Sequence, residues 1–254
     1  DVRYSYWTKT TTKGNYSIKL RKKIDSDEIE EIWNGDLEKA KLKTEYFGLG
    51  DLEVSYNDKL LAYSLDLKGS EYYTIHIRDI KSREQVGEKI ENTSGGITFS
   101  LDDKYIFYSK LDDNHRPREI YRHEIGTPTS KDILIFKEES EAFTVGIGLS
   151  SDEKYFFITS SDHNTSEQYY FKADEIIPKP KLIDKRKRGI IYSVNSWNGN
   201  FYKHTNEDAE DFKIEKTNDL EKKEWETFIP AREEVLIGGL IFLNNWIIRS
   251  ETSN

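Results

Sequence analysis

With 254 residues, 35% hydrophobic and 33% charged side chains, yet sixteen Tyr, twelve Phe and five Trp, the chain is too aromatic to be disordered. It is long enough for one large all-β domain or two ordinary ones. A net charge of −9 argues against a nucleic-acid partner, and the lack of cysteine excludes disulfides, thiolate metal sites and cysteine nucleophiles. No apolar run approaches the roughly 18 residues of a membrane helix and residue 1 opens no signal-peptide core, so the expected setting is cytoplasmic, away from membranes. The chain begins at Asp1 rather than Met, which reads as a trimmed beginning.

In chain order, the first candidate strands lie in YSYWTKTTTKGNYSIKL, from Tyr4, where Trp7 and Tyr16 match Ser64 and Tyr73 at a common offset of 57. A longer connection, GDLEKAKLKTEYFGLG, follows. A repeat then runs through the chain: SYNDKLLAYSLDL at Ser55, SLDDKYIFYSKLD at Ser100, SSDEKYFFITSSD at Ser150, and weaker copies NSWNGNFYKHTNED at Asn195 and LIFLNNWIIRSETS at Leu240. The intervals are 45, 50, 45 and 45 residues.

Before each anchor, mostly apolar residues alternate with a polar or tiny one: Glu53, Thr98, Gly148, Ser193 and Gly238. Such a period of two predicts a strand with one packed face. Six residues after each anchor stands an apolar column, Leu61, Ile106, Phe156, Phe201 and Trp246, expected to form a shared core layer. Between the two strands, S-x-[DN]-[DE]-K in the first three copies predicts a tight reversal held by short polar side chains. Further strands are expected in YTIHIRDI at 73–80 and EQVGEKI at 84–90.

Four strands in about 45 residues is the period of a β-propeller blade. The N-terminal stretch then reads as the outer part of a first blade, and the chain stops two strands into a last one. The expected fold is all-β: an incomplete propeller of about five to six four-stranded blades over residues 1–254, with anchors near 55, 100, 150, 195 and 240.

The stretch LDDNHRPREIYRHEIGT, 111–127, concentrates charged residues and two histidines. On the repeat it is a strand end, a turn and a third strand, so His115 falls in a loop and His123 on a strand, with no third ligand at metal-binding spacing. The acidic pairs Asp102 with Asp103 and Glu138 with Glu139 are expected to be solvated turn residues rather than an acid–base couple. KRKR at 185–188 reads first as a solvated loop and second as an anion-binding patch.

The same stretch, DDNHRPREIYRHEIGT, closely resembles the signature of the oligopeptidase B (protease II) group of the prolyl oligopeptidase family of serine peptidases. The resemblance continues through YFGLGDLEVSYNDKLLAYSLDLKGSEYYTIHIRDI, YSVNSWNGNFYKHTNEDAEDFKI, WETFIPAREEV and the final SETSN. It implies a seven-bladed propeller joined in the full protein to an α/β-hydrolase domain, with the propeller restricting entry to short peptides cleaved after Arg or Lys. Acyl transfer on that fold needs a serine elbow, usually G-x-S-x-G, followed by Asp and His. GLSSD at 148–152 and NTSGG at 92–96 each lack one glycine, and the family's triad lies in the hydrolase domain.

No residue of this chain is therefore assigned a catalytic, cofactor-binding or metal-binding role, and no cofactor is expected. The leading expectation is a non-catalytic, substrate-gating propeller portion, inactive by itself. Its partners would be short basic peptides in the full-length protein, with self-association or docking of the missing hydrolase domain through open blade edges. The alternative is a stand-alone scaffold that binds a peptide or protein. Glu53, Thr98, Gly148 and Ser193 either face a channel or pack between blades. A glycosidase or lactonase propeller would need acidic or metal-binding residues at the channel mouth, where the column offers only Glu53.

Overall fold

The computed structural model describes residues 3–253. These residues form antiparallel sheets built as meanders, in which most strands pair with their sequence neighbours. The first sheet has three strands, Tyr4–Lys9, Ile18–Lys23 and Ile29–Asn34. Gly48–Val54, Leu60–Asp66, Tyr73–Asp79 and Ile90–Thr93 follow in a second meander. Two complete four-stranded sheets come later. One comprises Thr144–Leu149, Tyr155–Ser161, Ser166–Lys172 and Lys181–Leu182, and the other Tyr192–Trp197, Asn200–Thr205, Lys213–Thr217 and Glu226–Ile229. A two-stranded sheet, Val235–Phe242 with Ile247–Ser253, ends the described residues. The expected all-β architecture of repeated four-stranded sheets is thus present.

The chain divides into two compact units. The first runs to Tyr105 and includes Glu124–Lys131; the second comprises Ile106–His123 and the chain from Asp132 onward. In the first, Ile32, Trp33, Phe47, Leu61, Tyr63, Leu65 and Ile80 form a core to which the first two sheets both contribute. In the second, Phe157, Tyr170 and Ile183 of one sheet region meet Tyr192, Val194 and Phe201 of the next. Faces of period-two strands are buried against their neighbours, and each large side chain so buried contributes roughly 1.5–3 kcal/mol.

The column six residues after the anchor is buried at Leu61, Ile106, Phe156 and Phe201. Trp246 departs from it, being 72% exposed. In the first three copies the anchor lies just outside its strand and a wide turn follows. The last two copies use tighter reversals, Asn198–Gly199 and Leu243–Trp246, so the strand runs past the anchor. The final pairing also slips between Ile237 and Leu240, at the Gly238–Gly239 pair. A shift in register changes which residues reach the core, and Trp246 falls in the turn.

Two other elements differ from expectation. The connection after the first sheet contains a helix, Gly35–Leu42, capped by the Asn34 side chain, which accepts from the Leu37 N–H, and closed by Lys43 in the left-handed region. The fourth strand of the second sheet is Ile90–Thr93 rather than 84–90; Gln85 makes only an isolated bridge to Arg78. Gly87 interrupts the earlier run: its φ is +70°, and a Cβ there would stand 2.9 Å from the Gly126 Cα. A side chain would meet both left-handed strain and a backbone clash.

Candidate functional site

The S-x-[DN]-[DE]-K turns share one construction. Ser55 Oγ accepts from the Lys59 and Leu60 N–H groups and donates to Asn57 Oδ1; Ser150 Oγ accepts from Lys154 and Tyr155 and donates to Asp152 Oδ1. Ser100 Oγ accepts from Tyr105 N–H and donates to Asp102 Oδ1. The third residue after each anchor, Asp58, Asp103, Glu153 and Asn198, adopts a positive φ of 50–60°. Short polar chains thus satisfy the backbone groups that a reversal leaves free.

Each unit also staples one such turn to the next repeat. In the first, the Asp103 carboxylate accepts from Tyr56 N–H at 2.7 Å and Asn57 N–H at 2.8 Å. In the second, Asn195 Oδ1 accepts from Ser151 N–H at 2.9 Å, and Ser196 Oγ donates to Asp152 Oδ2 at 2.8 Å. These bonds tie the turn after one first strand to the following repeat.

Beside the turns lie the small or polar positions of the first strands. Gly148 and Ser193 are exposed, Thr98 is half-buried, and a Cβ at Gly146 or Gly148 would meet nothing within 4 Å. Glu53 is exposed at the surface of a cavity of about 390 Å³ that Tyr6, Lys19, Ile32, Val54 and Tyr56 also line. The crowding of protein around it, then Asp51, push its carboxyl up, while Lys19 opposes them. Solvent reaches this group, which tempers the effect of the crowding.

The histidines of the 111–127 stretch are held apart in role. His115 is exposed in its turn, with a φ of +60°. His123 is fully buried, its Nδ1 2.7 Å from Asp132 Oδ1, and Tyr108 donates to Asp132 Oδ2 at 2.8 Å. Burial first and the Asp132 charge second push the Tyr108 hydroxyl far up, which keeps it a neutral donor. His123 Nε2 is buried and makes no hydrogen bond among the described residues. A His–Asp couple of this kind orients a base only if a nucleophile stands at the other ring nitrogen, and none does here.

Glu138 is a correction to the solvated-turn expectation for the acidic pairs. Only 3% exposed, it accepts from Ser160 Oγ at 2.5 Å and from Arg186 Nη2 at 2.9 Å, while Arg186 also reaches Glu167 at 3.2 Å. Burial alone would raise the Glu138 carboxyl, but bonds from Ser160, the Ser140 N–H and Arg186 outweigh it and hold it below the usual range. One member of the KRKR run enters this network: Arg186 folds onto these carboxylates and lies over the Phe143 ring at 4.0 Å, while Lys187 pairs separately with Glu207. Sequence reasoning missed this cluster because its paired members lie 19 to 48 residues apart.

Stacked four-stranded meanders with stapled first-strand turns are those of a β-propeller, and similarity to known proteins agrees. The profile of the prolyl oligopeptidase N-terminal β-propeller domain matches residues 2–254, and the chain belongs to that family. Protease 2 of Moraxella lacunata is 29% identical over 255 residues, covering 93% of this chain and 37% of that protein. Dipeptidyl aminopeptidase BI of Pseudoxanthomonas mexicana is 28% identical over 83% of this chain and 30% of its own length. The structure of oligopeptidase B from Leishmania major superposes with a TM-score of 0.92 at 20% identity, covering 99% of this chain and 36% of that one. Oligopeptidase B from Trypanosoma brucei, with covalently bound antipain, gives 0.89 at 23%, again covering 99% and 36%. The chain therefore spans about a third of the length of these relatives. No helix among the described residues is long and apolar enough to cross a membrane.

Proposed function

We propose that this chain is the non-catalytic, substrate-gating propeller part of an oligopeptidase B-like serine endopeptidase that acts in the cytoplasm. At full length that enzyme cleaves short peptides after Arg or Lys. The observation that carries this reading is the match of residues 2–254 to the N-terminal propeller family. Gating would be exclusion: rigid sheets around an opening admit a flexible chain and reject a folded one. The unfilled space beyond Gly146 and Gly148 and the exposed Ser193 support an assignment of this first-strand column to the open side.

The chain carries no G-x-S-x-G elbow, and losing the serine or histidine of such a triad costs on the order of 10⁶ in turnover. The purified 254-residue chain is expected to leave a dibasic fluorogenic peptide uncleaved. Turnover that survives purification and is abolished by a serine-directed inhibitor overturns that reading.

A second reading, a stand-alone scaffold that binds a peptide or protein, is favoured by one feature. The last two-stranded sheet exposes Leu236, Ile241, Leu243, Trp246 and Ile248, an apolar group that association would cover.

A further inference from the structure

We propose that a cavity in the first unit binds a small organic polyphosphate. The cavity, of about 660 Å³, is lined by Arg3, Arg21, Lys23, Lys59 and Lys81 from four separate segments of the chain. Among the described residues, two carboxylates, Asp58 and Asp79, share its lining. An excess of positive charge in a concavity is notable on a chain with a net charge of −9, since low-dielectric walls concentrate the local field. Its volume lies within the roughly 300–1,000 Å³ usual for small-molecule sites.

The five cations are not equivalent. Arg21 is buried and locked: Nε donates to Glu30 at 2.7 Å, Nη1 donates to the Asp58 carbonyl at 2.6 Å, and the guanidinium stacks 4.4 Å from the Tyr4 ring centroid. Arg3 pairs with Asp58 at 2.7 Å and donates to the Tyr56 carbonyl. Lys23, Lys59 and Lys81 are exposed and form no ion pair among the described residues. Two cations thus build the wall, and three remain available to a ligand.

That division points to the ligand class. A carboxylate is matched best by a forked guanidinium, and here both guanidiniums already spend donors on the protein. Ammonium groups act as point charges and suit phosphate oxygens, which need no single donor geometry. Three of them spread around one cavity match several phosphates rather than one. Tyr4, half-buried, lines the same cavity and offers the organic part of the ligand an apolar ring surface.

The test is calorimetric titration of the 254-residue chain with inorganic tripolyphosphate at low salt. A hexaglutamate peptide is titrated in parallel. Saturable one-to-one binding of tripolyphosphate is expected, weakened about tenfold by the combined Lys23→Ala, Lys59→Ala and Lys81→Ala changes and two- to threefold by Lys59→Ala or Lys81→Ala alone. The Lys222→Ala, Lys223→Ala variant, altered at exposed positions of the other unit, should bind as the parent does. The single variants keep the result readable if the triple variant fails to fold. No saturable binding, equal affinity in the lysine variants, or tighter binding of hexaglutamate overturns the proposal.

Discussion

His76 shows how one buried side chain sets the response of the fold to acid. Its ring stacks on Tyr63, centroids 5.0 Å apart and planes within 4°. Burial first, and the nearby Lys89 charge second, lower its pKa from 6.5 to about 4. The unfolded chain therefore binds a proton that the folded chain refuses. Stability is complete above about pH 6.5 and falls by up to about 3 kcal/mol as the pH drops toward 4. His76→Phe keeps a stackable ring and removes the titration. Urea unfolding followed between pH 7 and 4 should show a shallower loss for the variant, and identical slopes would rule the assignment out. Neither this histidine nor the Glu138–Arg186 pair could be read from the sequence. A histidine on an alternating strand looks the same whether its face is covered or wet, and the partners of Glu138 lie far away along the chain.

At the scale of elements, the turns carry the repeat. Ser55, Ser100 and Ser150 were legible as turn residues because the bonds they make are local, reaching no more than five residues along the chain. What the Asp103 carboxylate does was not, because its acceptors' partners are the Tyr56 and Asn57 N–H groups of the preceding repeat, 47 and 46 residues away. Asp103→Ala removes both charge-assisted bonds and places a Cβ-bearing residue without a compensating polar group at a φ of 57°. A cost of about 2–3 kcal/mol is expected in equilibrium urea denaturation, with Asp103→Asn, which tolerates the left-handed region and retains an acceptor, losing clearly less. Equal losses for the two variants would show that the staple contributes little. The helix Gly35–Leu42 was missed for the opposite reason. It is short, only Gly35 is buried, and no apolar stripe announces it; its cap and its charged termini hold it.

For the whole molecule, the exposed apolar side chains of the last sheet are the basis for an expected self-association. Ile241, on a strand with a single partner, is 60% exposed, and Trp246, in the turn between the two strands, is 72% exposed. Apolar surface of this kind is removed from water by association. In size-exclusion chromatography with light scattering, the 254-residue chain should carry a mass above that of one copy. Ile241→Lys with Trp246→Lys should return it toward a single copy, through charge placed on an edge that otherwise pairs. A parent chain that is strictly monomeric at high concentration would dismiss edge-driven assembly.

The sequence alone determined the strand-rich class, the spacing of the repeat, the polar turns and four of the five positions in the buried column. All of these follow from side-chain alternation and bonds that close within a few residues. Folding decided which side of each first strand stays open, where the last register falls, and which charges leave the surface for a buried partner. It also gathered Arg3, Arg21, Lys23, Lys59 and Lys81 around one cavity. Those outcomes depend on groups that are distant along the chain and adjacent only once the sheets have packed, so no local pattern encodes them.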